Sequence, residues 1–129
     1  MKAFIQKALM AFVSITLLNV WLLRFQKSTS YRGGDAVDML SEFAAYGLPD
    51  TIMYIVGATK VTAAILLLLG LRYSKLVKAA TYTIAALMIG AIYFHFSIQD
   101  EWVKSFPAAL LLVSSILILY LERSQSHSR

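Results

Sequence analysis

Residues 51–71 read TIMYIVGATKVTAAILLLLGL, an apolar run that contains one charged side chain, Lys60. A helix that crosses the hydrocarbon core of a bilayer, about 30 Å thick, needs about 20 mostly apolar residues. This run has that length, and Asp50 and Arg72 flank it with charges. Helices of soluble proteins carry a polar face along their whole length. The composition of this run therefore predicts a membrane-spanning helix rather than a buried helix of a soluble protein.

Three further runs of the same kind accompany it. They predict spans over residues 6–24, 76–98 and 105–122. The chain is 59% hydrophobic and 15% charged, whereas a typical soluble domain is about 25% charged. Because four spans occupy most of the 129 residues, we expect one all-α domain, a four-helix transmembrane bundle in a lipid bilayer. A cleaved signal peptide is the alternative for the first run, but no A-x-A-like site closes it.

The charged residues and the lack of cysteine exclude several classes of function. The net charge of +5 arises from cations that lie mostly at the ends of the apolar runs. Nucleic-acid binding needs cations collected on one face, so we expect no nucleic-acid partner. The absence of cysteine removes disulfides and thiolate metal sites, and a lone histidine in the third span cannot form a metal site. We therefore predict no metal centre.

The distribution of Lys and Arg predicts the orientation of the bundle. With four spans, both termini and the second connection share one side of the membrane. That side carries seven cations and the other side four, which favours both termini in the cytoplasm. The first group is Lys2, Lys7, Arg72, Lys75, Lys78, Arg123 and Arg129, and the second is Arg24, Lys27, Arg32 and Lys104.

The long connection between the first two spans carries the signals of a short helix. Asp35 is a suitable N-cap, acids follow it, and Gly47 and Pro49 are stop signals. We expect an amphipathic helix over residues 35–46 at the outer interface. It is either a simple cap on the bundle or a lid over an outward-facing pocket. Its expected apolar face is formed by Ala36, Leu40, Phe43 and Ala44.

Lys60 is the most informative single residue. It lies ten residues from Asp50, which places it about 15 Å deep at 1.5 Å per helical residue. A central lysine costs roughly 2.5–3.5 kcal/mol on insertion scales, so it should face the bundle interior or a wet cavity. Gly57 on the same face would let another helix approach closely. Lys60 is either a ligand or proton site or a lysine that reaches the interface or backbone carbonyls.

Other polar and aromatic residues admit two interpretations each. Arg24 is either a headgroup anchor or a ligand contact, and His95 is either bonded to Asp100, Glu101 or a carbonyl, or relays protons to an outer pocket. Small residues at 79, 83, 86 and 90 predict helix packing. Aromatic residues at the outer interface predict a belt, and hydroxyls in the spans predict hydrogen bonds between helices. The belt comprises Trp21, Tyr31, Tyr46, Tyr54, Tyr93 and Trp102; the hydroxyls include Thr59, Ser114 and Ser115.

Several short blocks together resemble the DoxX-like family of small four-span bacterial membrane proteins, over residues 10–122. The blocks are Arg24 at the end of the first span, YRGG at 31–34, FAAYGLP at 43–49, VGATK at 56–60, AILLL at 64–68, GA at 90–91 and His95. The resemblance implies a multi-pass protein of the bacterial cytoplasmic (inner) membrane. It also implies a link to quinone-coupled oxidation of sulfur compounds or to complexes with redox-defence proteins. Many relatives carry glutamate where Lys60 stands, so acid chemistry of those members is not transferred here.

Three functions are then in competition. The first is a small membrane subunit that binds a lipophilic redox partner such as a quinone, in an outer pocket lined by Arg24, Lys60 and His95. The second is a non-enzymatic scaffold for membrane or periplasmic proteins. The third is a small-solute permease, which would have to form a homo-oligomer to enclose a pore. The sequence contains no motif of a hydrolase, a kinase or a zinc protease, and we identify no catalytic residue.

Overall fold

The computed structural model describes residues 1–27 and 31–128. Helix α1 covers Lys2–Leu18 and continues as a π-helical turn over Asn19–Leu23. A short α2, Met39–Ala45, leads to α3, Asp50–Leu69. The remaining elements are a 3-10 turn Ser74–Leu76, α4 Val77–Ser97, a 3-10 turn Trp102–Ser105 and α5 Phe106–Ser128. The four long helices are each long and apolar enough to cross a membrane, which confirms the all-α membrane bundle.

The four long helices form a ring in which each contacts two neighbours. Helix α1 packs against α3 and α5, and α4 packs against the same two. Consecutive long helices are antiparallel, so the bundle has two distinct ends. We call the end with both chain termini and the α3–α4 turn the terminus end. The opposite end, which carries α2 and the α4–α5 turn, is the α2 end.

At the terminus end, α1 and α5 extend beyond the predicted spans of 6–24 and 105–122. The Gln6 amide donates to Glu122 Oε2 at 2.8 Å, and Gln125 donates to Gln6 Oε1 at 2.8 Å. Lys2 Nζ donates to Ser124 Oγ at 2.7 Å. These polar contacts hold the two helices together past the apolar runs. Hydropathy alone could not place the ends, because the bonds join residues more than one hundred positions apart.

The short helix of the connection begins later than predicted. Its N-cap is Asp38 rather than Asp35, because Asp38 Oδ1 accepts from the Ser41 amide at 2.8 Å and Ser41 Oγ accepts from the Asp38 amide at 3.2 Å. This reciprocal capping box fixes the first turn. The helix ends where Gly47 adopts a left-handed φ of 79°. The amides of Gly47 and Leu48 then bond the carbonyls of Ala44 and Phe43, which is a Schellman ending.

The face that α2 turns to the bundle also differs from the prediction. Met39, Glu42 and Phe43 are buried, whereas Leu40 and Ala44 are exposed. The correction follows from the later helix start, together with a buried charge that an apolar pattern cannot anticipate. Glu42 faces inward because an arginine of the same connection pairs with it, as described below.

The apolar core is divided between the two ends. A large cluster fills the terminus half, where Met10, Val13, Leu67, Ile84 and Ile118 are at most 1% exposed. A small cluster of Trp21, Met39, Phe43 and Met53 lies at the α2 end. The larger cluster closes the bundle on one side of the midplane, and the smaller one leaves space on the other.

Candidate functional site

A cavity of about 550 Å³ occupies the α2 half of the bundle. All four long helices and α2 contribute to its wall, which is mostly apolar. Small residues on two helices make the room, namely Ala86, Gly90 and Ala91 on α4 and Ala108 on α5. A Cβ added at Gly90 would meet no heavy atom within 4 Å. The cavity therefore exists because small side chains border it on one side and α2 covers it at the end.

The π-helical turn at the end of α1 shapes one wall of this cavity. The Arg24 amide bonds the Asn19 carbonyl at 2.9 Å, five residues back instead of four. Such an extra residue in a helical turn changes the faces of the residues that follow, and π-turns are frequent at functional sites. Here Trp21 packs into the bundle while Arg24 also borders the cavity.

Trp21 and Lys60 are in direct contact inside the bundle. Lys60 Nζ lies 5.3 Å from the centroid of the Trp21 ring, within the range of a cation–π interaction. The indole packs on Gly57, where an added Cβ would come within 2.5 Å of Trp21 Cζ3. The expected close approach at Gly57 is confirmed. The glycine lets the ring lie flat enough against α3 to meet the lysine one turn further along.

Two cations border the cavity without a hydrogen-bond or ion-pair partner among residues 1–27 and 31–128. They are Arg24 and Lys60, and both are half-buried. All seven side-chain carboxylates of the chain lie in the described part, and none forms an ion pair with either cation. The donors of both residues are therefore available to a molecule in the cavity.

A third cation, Arg32, is fully engaged in holding the connection together. It is 5% exposed and its Nη1 pairs with Glu42 Oε2 at 3.0 Å. Its remaining nitrogens donate to the carbonyls of Arg24, Phe25 and Lys27 at 2.6, 3.2 and 2.8 Å. The planar guanidinium can serve several acceptors at once. Arg32 thus joins the end of α1 to the buried face of α2.

Glu42 continues this network towards α4. Its Oε1 accepts from the Gly33 amide at 2.8 Å and from the Tyr46 hydroxyl at 3.1 Å. The same hydroxyl lies 3.3 Å from His95 Nε2, and His95 Nδ1 lies 2.8 Å from Asp100 Oδ2. A hydroxyl has one proton to donate. The Tyr46 hydroxyl therefore lies between Glu42 and His95 and can donate to one of them at a time.

Asp100 ties the α4–α5 turn to the connection. Its Oδ1 accepts from the Gly34 amide at 2.9 Å, and Lys104 Nζ lies 3.8 Å from the same oxygen. Lys104 also donates to the Gly34 carbonyl. The network from Arg32 to Lys104 therefore joins the end of α1, the connection with α2, the end of α4 and the α4–α5 turn, and it forms the roof of the cavity.

The environment of this roof shifts two pKa values in opposite directions. Burial raises the pKa of Tyr46, and the neighbouring Glu42 and Asp100 charges add to the rise, so Tyr46 stays protonated as a donor. Burial alone would raise the pKa of Asp100. Hydrogen bonds from His95 and the Gly34 amide, together with the charge of Lys104, outweigh that effect and lower it. Asp100 is therefore ionised, which suits its two donors.

The structure brings all three predicted site residues to one cavity. Arg24, Lys60 and His95 each border it. His95 also has the bond to Asp100 that its structural interpretation required, so it serves the roof as well as the wall. The role of the three residues as ligand contacts stays a prediction.

Sequence reasoning missed the residues that build the site around them. Trp21 and Tyr46 were expected in an aromatic belt, but Trp21 is buried and Tyr46 bonds inside the roof. In the sequence, Arg32 counts only as an outer-side cation, and no pattern singles out Glu42 as part of a site.

Two expectations about helix packing are also corrected. The hydroxyls of Thr59, Ser114 and Ser115 donate to carbonyls four residues earlier in their own helices, at 2.8–2.9 Å. They do not join helices, since a carbonyl of the same turn lies within easy reach. The small residues of α4 border open space rather than a neighbour. Ala86 and Gly90 line the cavity, and Ala79 and Thr83 line a groove of about 350 Å³ beside α3.

Comparison with known protein families agrees with these observations. A sequence model of the DoxX-like family matches residues 30–117, which is more than half of the chain. The chain belongs to the DoxX-like family. No curated protein and no solved structure matches it. The matched range includes Arg32, Glu42, Lys60 and His95, whereas Trp21 and Arg24 precede it.

Proposed function

We propose that this multi-pass DoxX-like membrane protein binds a small lipophilic molecule in the cavity of its α2 half. The molecule would place an oxygen-bearing head near Lys60 and Arg24 and its apolar body along the remaining wall. A quinone is one class with this shape, and it is the class that the family resemblance suggests. Binding a redox lipid would make the chain a small subunit of a membrane electron-transfer system.

The size and lining of the cavity support ligand binding. Its volume of about 550 Å³ lies within the 300–1,000 Å³ typical of small-molecule sites. Such sites are mostly apolar with a few well-placed polar groups, and this wall has the same composition. The packed cluster around Met10, Leu67 and Ile118 lies beyond its deep end. A blind cavity favours a bound ligand over a permeation path.

The observation that carries the proposal is the state of Lys60. An intramembrane lysine is expensive and is normally paired. Here its ammonium lies over the Trp21 ring and forms no hydrogen bond or ion pair with the described residues, while it borders a cavity. A carbonyl oxygen of the ligand, placed beside Lys60, would accept a hydrogen bond from its ammonium. None of the described residues accepts such a bond. His95, which borders the same cavity, would supply a second polar contact.

The proposal includes a location and an orientation. The family and the excess of cations at the terminus end favour the bacterial inner membrane with both termini in the cytoplasm. The α2 end would then face the periplasm. A lipophilic ligand could enter from the outer leaflet beside Gly90, where α4 presents no side chain.

Mass spectrometry of the protein gently extracted from its own membrane tests the proposal. We expect a stoichiometric quinone or other lipophilic molecule that is lost in Lys60→Met and retained in Lys27→Met. The second substitution is the matched control, because Lys27 is an exposed cation outside the cavity wall. Ordinary phospholipid alone, with a protein partner that both variants retain, would instead make the chain a scaffold. Solute flux through liposomes would support the permease.

A further inference from the structure

The charged residues around the cavity bear on the charge of the ligand, and not only on its hydrogen-bonding groups. Arg24, Arg32, Lys60 and Lys104 border it, and Glu42 is the one side-chain carboxylate in its described wall. Arg32 pairs with Glu42, and Lys104 pairs with Asp100 in the roof. The remaining two cations, Arg24 and Lys60, form no ion pair with any carboxylate of the described residues. The cavity thus has a surplus of positive charge within an apolar wall.

Neither of the two roof carboxylates can supply the missing charge. Both oxygens of Glu42 already accept bonds, Oε2 from Arg32 and Oε1 from Gly33 and Tyr46. Both oxygens of Asp100 are also engaged, by His95 and by the Gly34 amide. A buried charge without a partner is costly. An anion bound in the cavity would supply the ion-pair partner that Arg24 and Lys60 lack among the described residues.

We propose that the ligand of this cavity is a single-chain amphiphile with a carboxylate head, held between Arg24 and Lys60. This inference rests on the proposed function and narrows it from any oxygen-bearing head, the neutral quinone included, to an anion. A guanidinium binds a carboxylate through two parallel hydrogen bonds, and an ammonium adds a point charge. Bonds of this kind are roughly twice as strong as those to a neutral carbonyl.

The volume of the cavity matches an amphiphile with one apolar chain. If each non-hydrogen atom takes the roughly 30 Å³ that one water molecule occupies in the liquid, a volume of about 550 Å³ holds about 18 such atoms. A fatty acid of common length fits this number, whereas a phospholipid with two chains does not. The apolar wall formed by Val20, Val56, Leu87, Met88 and Leu111 provides the surface along which a single chain would lie.

The chain contains its own reporter for this ligand. It has two tryptophans, and Trp21 lies against Lys60 while Trp102 is 83% exposed and outside the cavity wall. In Trp102→Phe, all tryptophan fluorescence comes from beside the proposed head-group site. A stearate brominated in its chain quenches a nearby indole, and its methyl ester has the same chain without the charge.

The experiment compares the two compounds with the full chain reconstituted in nanodiscs of zwitterionic lipid, at about pH 7, where carboxylates and ammonium groups are ordinarily ionised. We expect the brominated stearate to quench Trp21 saturably with an apparent affinity about ten-fold or more above that of the ester. Lys60→Met and Arg24→Gln should each weaken binding of the acid by about ten-fold. Lys60→Arg should restore it and Lys27→Met should leave it unchanged.

Two results would overturn the inference, and they differ in their meaning for the proposed function. Equal quenching by acid and ester, with a quinone recovered from the extracted protein, would show a neutral head and leave the proposed function intact. Quenching by neither compound, together with no lipophilic molecule recovered from the extracted protein, would contradict both the inference and the proposed function. Lys60→Arg and Arg24→Gln keep the test informative if Lys60→Met does not fold.

Discussion

The two ends of the bundle are held together by different kinds of interaction. At the terminus end, apolar side chains that are almost fully buried fill the space between the helices, with one polar cluster around Gln6. At the α2 end, ion pairs and hydrogen bonds from Arg32 to Lys104 form a roof above a cavity. We call the terminus end the packed end and the α2 end the bridged end, because polar bonds span the space above the cavity there.

This difference shows how a small membrane protein can keep a cavity open. In lipid, helices associate through close packing and hydrogen bonds rather than through a hydrophobic driving force. The packed end fixes the positions of the four helices. The bridged end then needs only to hold α2 in place, and polar bonds can do this across a gap that apolar packing would have to fill.

Among the substitutions that should affect the two ends differently, Arg32→Met is expected to have the largest effect. The substitution leaves the Glu42 carboxylate buried without its counter-charge, and three backbone carbonyls lose their donor. Breaking a buried ion pair in this way costs about 3–5 kcal/mol. The loss should be local, so hydrogen–deuterium exchange should quicken in residues 33–46 and remain slow in α1 and α5. Lys27→Met is the control, and equal acceleration at both ends would contradict the division.

At the packed end, Leu67→Ala should lower the stability of the whole bundle. Leu67 is fully buried, and replacing such a leucine by alanine costs about 2–5 kcal/mol through the lost contacts and the space left behind. The midpoint of unfolding in denaturing detergent should fall. Ligand affinity at the remaining folded fraction should be unchanged, because Leu67 does not border the cavity. If the fully folded variant bound the ligand more weakly, the packing of the terminus half would influence the cavity.

Substitutions at Gly57 and Gly90 compare a glycine that packs against a side chain with one that borders open space. Gly57→Ala forces the Trp21 ring away from α3, since the new Cβ would lie 2.5 Å from it, and overpacking of this kind costs about 1–3 kcal/mol. Gly90→Ala meets open space and should stabilise its helix by about 0.5–1 kcal/mol. Thermal unfolding measures both variants. A shift in Trp21 fluorescence confined to Gly57→Ala would locate the strain at the indole.

Hydropathy predicts the packed end well because its signals are local. Four apolar runs with charged ends give the helices and their order. The small side chain of Gly57, one turn from Lys60, indicates a close neighbour. The ends of α1 and α5 escape prediction, since Gln6 and Glu122 meet only in the folded bundle.

The bridged end resists prediction for a physical reason. The Arg32–Glu42 pair depends on the path of an irregular segment, and the shift of the α2 start to Asp38 depends on which acid can reach the Ser41 amide. The π-turn at Asn19–Leu23 has no signature in the apolar pattern. Because the sequence does not show this turn, it assigns Trp21 to an aromatic belt and does not predict the contact of Trp21 with Lys60.

The smallest expected effect is the loosening of the bridged end in acid. The pKa of Asp100 is lowered in the fold, so its bonds contribute fully above its ordinary pKa of 3.8 and are lost as the pH falls through the lower folded value. Exchange of the Gly34 amide should therefore quicken below about pH 4 while the packed end is unaffected.

Asp38 complicates that experiment, because the hydrogen bond from the Ser41 amide lowers its pKa as well. The measurement is therefore made in Asp38→Asn, in which an amide oxygen still caps α2 at any pH. In that background, adding Asp100→Asn should abolish the acid transition at Gly34. A transition that persists would show that the loss of the Asp100 bonds does not cause it.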